Sequence, residues 1–224
     1  MQDDAKPAVQ EREYMGRTLA RTMSHHGADW LTRDNRDDEE NTTRMHEHLG
    51  LGPGMTACDL GAGNGYHSLL MASAVSPEGS VYASDLQPEM LELLRTRAKA
   101  AGTENVVTLQ ATDADPKFPA GACDRILIVD VYHELSDPPA VLERLRASLS
   151  ATGEIVLLEY RAEDPDVPIR PLHKMSKAQI LAEYEASGLA LTREFDDLPW
   201  QHMMFFAPAD RGSAAVGNPS SGDH

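Results

Sequence analysis

Asp59-Leu60-Gly61-Ala62-Gly63-Asn64-Gly65-Tyr66 joins a short apolar run, Met55 to Leu60, to a helix-like stretch, Tyr66 to Val75. Glycines at such a junction let the backbone turn sharply and come close to a ligand at the carboxyl edge of a parallel sheet. A dinucleotide-binding turn would read G-x-G-x-x-G, with a pyrophosphate on the helix N-terminus. Here the spacing is G-x-G-x-G, and Asp59 stands two positions before the first glycine. A carboxylate at the strand end repels a pyrophosphate and suits a ligand with an amino or sulfonium charge.

The chain continues from this junction in alternation. Strands are expected at Ser80 to Ser84, Val106 to Gln110, Arg125 to Val131 and Gly153 to Tyr160, with helices at Pro88 to Ala101 and Pro138 to Leu149. Arg125 to Val131 (RILIVDV) is the most apolar run, as a central strand buried on both faces requires. Alternating strands and helices mean a parallel sheet with right-handed crossovers. The end breaks the alternation. A helix from Ser176 to Ser187, with Ser176 as N-cap, precedes two strands, Leu189 to Phe195 and His202 to Ala207. Their six-residue connection implies a hairpin and one antiparallel strand.

Acids recur at the strand ends. Asp85 closes the second strand, where a carboxylate can take both ribose hydroxyls. Asp113 follows the third, beside Ala114, and is placed to accept from an adenine amine. Asp130 lies near the end of the fourth. With Asp59, four acids at four successive strand ends would face one crevice, where open α/β sheets bind ligands.

These motifs together resemble the class I S-adenosylmethionine-dependent methyltransferases. The resemblance covers residues 50–208 and implies an α/β, seven-stranded Rossmann-like sheet of order 3-2-1-4-5-7-6 with strand 7 antiparallel. It implies S-adenosylmethionine as cofactor, held by Asp59, Gly61, Gly63, Asn64, Gly65, Asp85, Leu86, Asp113, Ala114 and Asp130. Residues 13–49 read as a helical segment that would lie over the cofactor as a lid, with Tyr14 against the sulfonium. Its charged stretch, Arg33 to Glu47, reads as a solvated helix face.

Acceptor chemistry is expected just beyond the fourth strand, in Asp130-Val131-Tyr132-His133-Glu134-Leu135. His133 has a suitable unperturbed pKa for a general base, and Tyr132 or Glu134 would orient it. The polar stretch after the fifth strand offers Tyr160, Arg161, His173 and Lys174 to an acceptor, and His202 follows the final turn. The acceptor is expected to be a small molecule. Two other readings stand beside methyl transfer: a cofactor-binding regulatory protein without catalysis, and an NAD-dependent oxidoreductase, whose glycine spacing is missing.

Composition limits the field further. Thirty-six acidic and 20 basic residues give a formal charge of −16 in 224 residues, and 41% are hydrophobic. The acidic excess argues against a general nucleic-acid binder, which needs Lys and Arg for phosphates. No apolar run reaches the ~18–20 residues of a membrane span. No secretory signal is visible, so a cytoplasmic location is the default expectation, although a removed leader would leave the same picture. Cys58 and Cys123 lack zinc spacing and read as buried free thiols. His25-His26 and His46-x-His48 do not place their rings on one helix face with a third ligand, so no metal is expected. Residues 1–12 and 209–224 read as disordered tails.

Overall fold

The computed structural model describes residues 12–213. The central sheet contains β1 (Thr56–Leu60), β2 (Ser80–Asp85), β3 (Val106–Gln110), β4 (Cys123–Val129), β5 (Leu149–Arg161), β6 (Leu189–Phe195) and β7 (Gln201–Pro208). Their spatial order is β3-β2-β1-β4-β5-β7-β6, and β7 runs antiparallel to both neighbours. The other pairs are parallel, and a two-residue strand, Lys174–Met175, runs beside the end of β5. The expected α/β class, strand order and reversed strand are all present.

β4 shows why the sheet is central. Ile126 and Ile128 pack on one face with Leu142, Leu145, Tyr184 and Phe206. Leu127 between them packs on the other with Val156, Leu158, Met203 and Phe205. A period-2 strand of β-branched and leucine side chains is thus buried on both sides. Each such side chain contributes about 1.5–3 kcal/mol.

Covering helices are α3 (Tyr66–Val75), α4 (Pro88–Ala100), α5 (Pro138–Ser148) and α6 (Lys177–Ala186). α4 and α5 start on prolines, which suit a first helical turn. Ser176 caps α6 by accepting from the Gln179 N–H at 3.2 Å.

The N-terminal segment departs from expectation. Glu13–Tyr14 and Arg17–Thr18 form a small hairpin, and His25–Thr32 is a 3-10 helix. The charged stretch is two short helices, α1 (Arg36–Glu40) and α2 (Thr42–Leu49), broken at Asn41, whose φ is 51°. Asn tolerates this left-handed conformation, and its side chain caps α2 at the Arg44 N–H. Nor is this a simple solvated face, since Arg36 and Glu40 are buried and paired with each other.

Two further corrections concern the cysteines and the C-terminus. Cys58 of β1 and Cys123 of β4 are joined as a disulfide, with Cα atoms 5.9 Å apart, rather than being free thiols. The segment after β7 begins with a 3-10 turn, Ala209–Ser213, tied down where Arg211 donates to the Gly153 and Ser150 carbonyls. The remaining tail expectations, for residues 1–11 and 214–224, lie outside the described residues. Among the described residues, no helix is long and apolar enough to cross a membrane.

Candidate active site

At the carboxyl edge of the sheet lies a cavity of about 640 Å³. The β1–α3 glycine turn and the ends of β2 and β3 form one wall. Residues following β4 and β5 form the opposite wall, and the chain from Thr22 to Glu40 closes the top.

The first wall is mostly backbone. Gly61 and Gly63 line it with φ of 69° and 53°, a region that L side chains rarely occupy. A Cβ on Gly61 would lie 2.5 Å from Val131, and one on Gly63 would lie 2.6 Å from Leu31. The glycines therefore serve conformation and also let neighbouring side chains seat against the turn. Asp85 is fixed from both sides: the Gly63 N–H donates to Oδ2 at 2.9 Å and the Gln87 N–H to Oδ1 at 2.8 Å. Burial raises its pKa against these two bonds. Leu86 and Asp113 also line the cavity, and Asp113 accepts from Ser136 Oγ at 3.0 Å.

Four expected cofactor residues do not line it. Asp59 lies beneath the turn, where Ser68 Oγ donates to it at 2.5 Å. Burial raises its pKa to about 6. Asn64 holds the overlying segment by donating to the Ala28 carbonyl, while its Oδ1 accepts from Arg97. Gly65 starts α3 with a φ of 83°. Ala114 is likewise outside the lining residues. Motif position puts Asp59, Asn64 and Gly65 at the turn, but a turn has an inside and an outside.

The second wall is built from side chains. Asp130 lines it at a φ of 54°, an uncommon conformation for a non-glycine residue. Its Oδ2 accepts from Gln201 Nε2 at 2.7 Å, whereas Oδ1 is buried without a partner. Burial, with Glu40 and Glu159 nearby, pushes its pKa well up. Tyr160 also lines the cavity and donates its hydroxyl to Glu40 at 3.0 Å. Glu40 is held in turn by Arg36 at 2.8 Å and by Arg33, whose guanidinium lies 3.8 Å over the Trp30 ring.

His133 sits on this wall in a buried cluster. Its Nδ1 lies 2.6 Å from Glu159 Oε2 and its Nε2 lies 2.9 Å from His173 Nδ1. Burial works against its charge, but Glu159 and Glu134 outweigh it and raise the pKa to about 10. Both ring nitrogens are thus engaged, and the group that orients His133 through Nδ1 is Glu159 rather than Tyr132. His173 is half-buried and lines the cavity, and Glu134 comes within 3.7 Å of both rings. Glu134 and Glu159 carry no motif of their own. Only their adjacency to His133 and to the end of β5 signals them.

Four other expected residues serve elsewhere. Tyr132 turns away from the cavity and donates to Glu183 at 2.8 Å. Glu183 also takes a two-point ion pair from Arg17. Tyr14 belongs to the N-terminal hairpin and lies toward Glu183 and Ser187, not over the cavity; Trp30, Leu31 and Met23 cover that position. Arg161 donates to the carbonyls of Asp196, Leu198 and Pro199, bracing the β6–β7 turn. His202 pairs with Glu163 at 2.9 Å.

A seven-stranded sheet with one reversed strand, a glycine turn after β1 and a fixed acid closing β2 define a Rossmann-like methyltransferase fold. The chain belongs to the methyltransferase-domain family, whose profile matches residues 51–196. It is similar to the protein-L-isoaspartate O-methyltransferase of Ignicoccus hospitalis, 35% identical over 102 residues that cover 46% of this chain and 47% of that one. It is also similar to the ubiquinone/menaquinone biosynthesis C-methyltransferase UbiE of Shewanella oneidensis, 26% identical over 151 residues, 67% of this chain and 59% of that one. The chain thus spans roughly half the length of the curated relatives it matches. A SAM-dependent methyltransferase structure from Aquifex aeolicus shares the fold, with a TM-score of 0.77, 23% identity, and coverage of 83% of this chain and 98% of that one.

Proposed function

We propose that the chain transfers a methyl group from S-adenosylmethionine to a small-molecule acceptor. One observation carries this reading: a single cavity of about 640 Å³ has a fixed-carboxylate, glycine-backed wall on one side and a wall of proton-handling side chains on the other. The residues present fit the cofactor. Asp85 is held by two backbone N–H groups yet keeps lone pairs for hydroxyls. The unpartnered Oδ1 of Asp130 is an acceptor suited to an ammonium or N–H group.

Gly61, Gly63, Asp85, Leu86, Asp113 and Asp130 would hold the cofactor, which when bound supplies an electrophilic methyl on a positively charged sulfur. The remaining work belongs to orientation and exclusion of water. Trp30, Leu31 and Met23 supply the apolar cover. Tyr160, His133 and His173 face the same space and would position the acceptor's attacking atom.

Calorimetric titration with S-adenosylhomocysteine tests the cofactor assignment. Asp85→Ala is expected to weaken binding about 10–100-fold, the loss of one or two hydrogen bonds to a charged group. Unchanged affinity would remove Asp85 from the site, and tighter binding of NAD would favour an oxidoreductase. Labelled methyl donor offered with a panel of small phenols, thiols and amines tests transfer. Binding without transfer to any of them would favour a regulatory protein.

A further inference from the structure

We propose that His133, Glu134 and His173 form a binding site for one divalent transition-metal ion, with zinc as the ion best matched to the donors. The three residues come from two loops, after β4 and after β5, and all line the cavity. Their facing atoms form a triangle. His133 Nε2 lies 2.9 Å from His173 Nδ1. Glu134 Oε1 lies 3.7 Å from the first nitrogen and 3.6 Å from the second.

A tetrahedral zinc with bonds of about 2.0–2.1 Å separates its ligand atoms by about 3.3–3.4 Å. The observed triangle brackets that spacing, so shifts of a few tenths of an ångström make it one face of the tetrahedron. Two imidazoles and one carboxylate, with a corner left toward the cavity, match the open type of zinc site.

The surroundings supply a second, independent observation. Glu159, itself fully buried, holds Nδ1 of His133 at 2.6 Å. It also accepts from the His133 backbone N–H at 3.1 Å. A carboxylate on the far nitrogen fixes the tautomer and aims Nε2 at the ion, as is usual behind metal-bound histidines. Glu134 Oε2 accepts from the Met23 N–H at 3.2 Å, which leaves Oε1 facing the histidines. His173 is set in a 3-10 turn closed by its N–H on the Arg170 carbonyl. Glu159 acts through His133 and is a positioning residue.

The ion's use rests on the methyl-transfer reading: it would bind an acceptor hydroxyl and lower its pKa, the proton leaving to water. The site itself stands on ligand geometry. The test uses the full chain stripped with chelator and then titrated with zinc alone, followed by metal analysis after desalting. Cobalt replaces zinc in a parallel sample to give a visible spectrum.

One equivalent of zinc and a tetrahedral cobalt spectrum are expected. His173→Ala, at a half-buried position, should lose at least ~100-fold in zinc affinity, and Glu159→Gln about 10–100-fold. His48→Ala, on α2 against Phe195 and outside the cavity lining, should lose nothing. Absence of stoichiometric zinc from the wild type, or unchanged affinity in His173→Ala, overturns the site and leaves a proton-bridged histidine pair. S-adenosylhomocysteine binding measured on the same samples separates the two readings. Cofactor binding without zinc removes only the metal, and zinc binding without the cofactor removes only methyl transfer.

Discussion

The two walls of the cavity are made of different materials. The glycine-turn wall uses backbone: two left-handed glycines and two N–H groups on one carboxylate, all but one of its parts within a dozen residues or at the next strand end. The opposite wall uses buried charge. Arg33 and Arg36 pair with Glu40 beneath Tyr160, Glu159 pairs with His133, and Arg17 pairs with Glu183 behind the wall, where Glu183 holds Tyr132; these charges come from distant segments. A backbone wall is specified locally and yields to steric change. A charge wall is specified only by the assembled fold and yields to removal of a partner.

The largest expected effect follows directly. Glu183 is fully buried, accepts from Arg17 at 2.6 and 3.0 Å, and holds the Tyr132 hydroxyl. Glu183→Ala leaves a part-buried guanidinium unpaired and should cost about 3–5 kcal/mol in urea unfolding. Asn64→Ala, a buried polar change behind the glycine turn, should cost only about 1–2 kcal/mol, since it removes one neutral hydrogen bond and one from Arg97. Equal losses would break the comparison.

Steric change gives the next effect. Gly61→Ala would force a side chain at a φ of 69° and bring its Cβ 2.5 Å from Val131. Left-handed strain of about 1–2 kcal/mol and overpacking of about 1–3 kcal/mol should add. Val131→Ala removes the overpacking part only, so the double variant should recover about 1–2 kcal/mol relative to additivity. If no recovery appears, the glycine is required by its conformation alone.

The same contrast explains what could be read in advance. The reversed β7 and the cavity-lining Gly61, Gly63, Asp85 and Asp113 follow from periodicity and from spacings within a short stretch, whereas the strand order follows only from the resemblance to class I methyltransferases. Asp59 and Asn64 lie outside the cavity lining, because motif spacing does not say which side of a turn a side chain takes. The acceptor wall is assembled only by the tertiary fold. His133 and His173 are 40 positions apart, and only the parallel crossover from β4 to β5 brings their loops to one edge. Glu40 looked solvated because its neighbours in sequence are charged. Its burial depends on Arg36 and Tyr160 meeting it in space.

The smallest expected effects are pH-dependent and come from a buried chain that runs from the charge wall to α3. Glu40 holds Arg36, Arg36 donates to His67 Nε2 at 3.0 Å, and His67 Nδ1 lies 3.1 Å from His46 Nε2. With Nε2 of His67 as acceptor, its Nδ1–H donates to His46, so both rings are neutral. Burial and Arg36 accordingly lower His46 to about 4, from an ordinary 6.5. The unfolded chain takes up this proton below pH 6.5 and the folded chain does not, so stability falls between pH 6.5 and 4. Asp59, on the other side of α3, has the opposite sign. Raised from 3.8 to about 6, it binds its proton in the folded chain first, so stability rises as pH falls from 6 to 3.8. Each contribution is on the order of 2–3 kcal/mol, and over this window they offset each other. Asp59→Asn should therefore steepen the fall in Tm below pH 6 while raising stability at pH 8. His46→Gln should flatten the acid side. If both variants keep the wild-type profile, the two groups do not titrate as their burial dictates. The His67–His46 pair is then not the neutral, hydrogen-bonded extension of the Glu40–Arg36 ion pair.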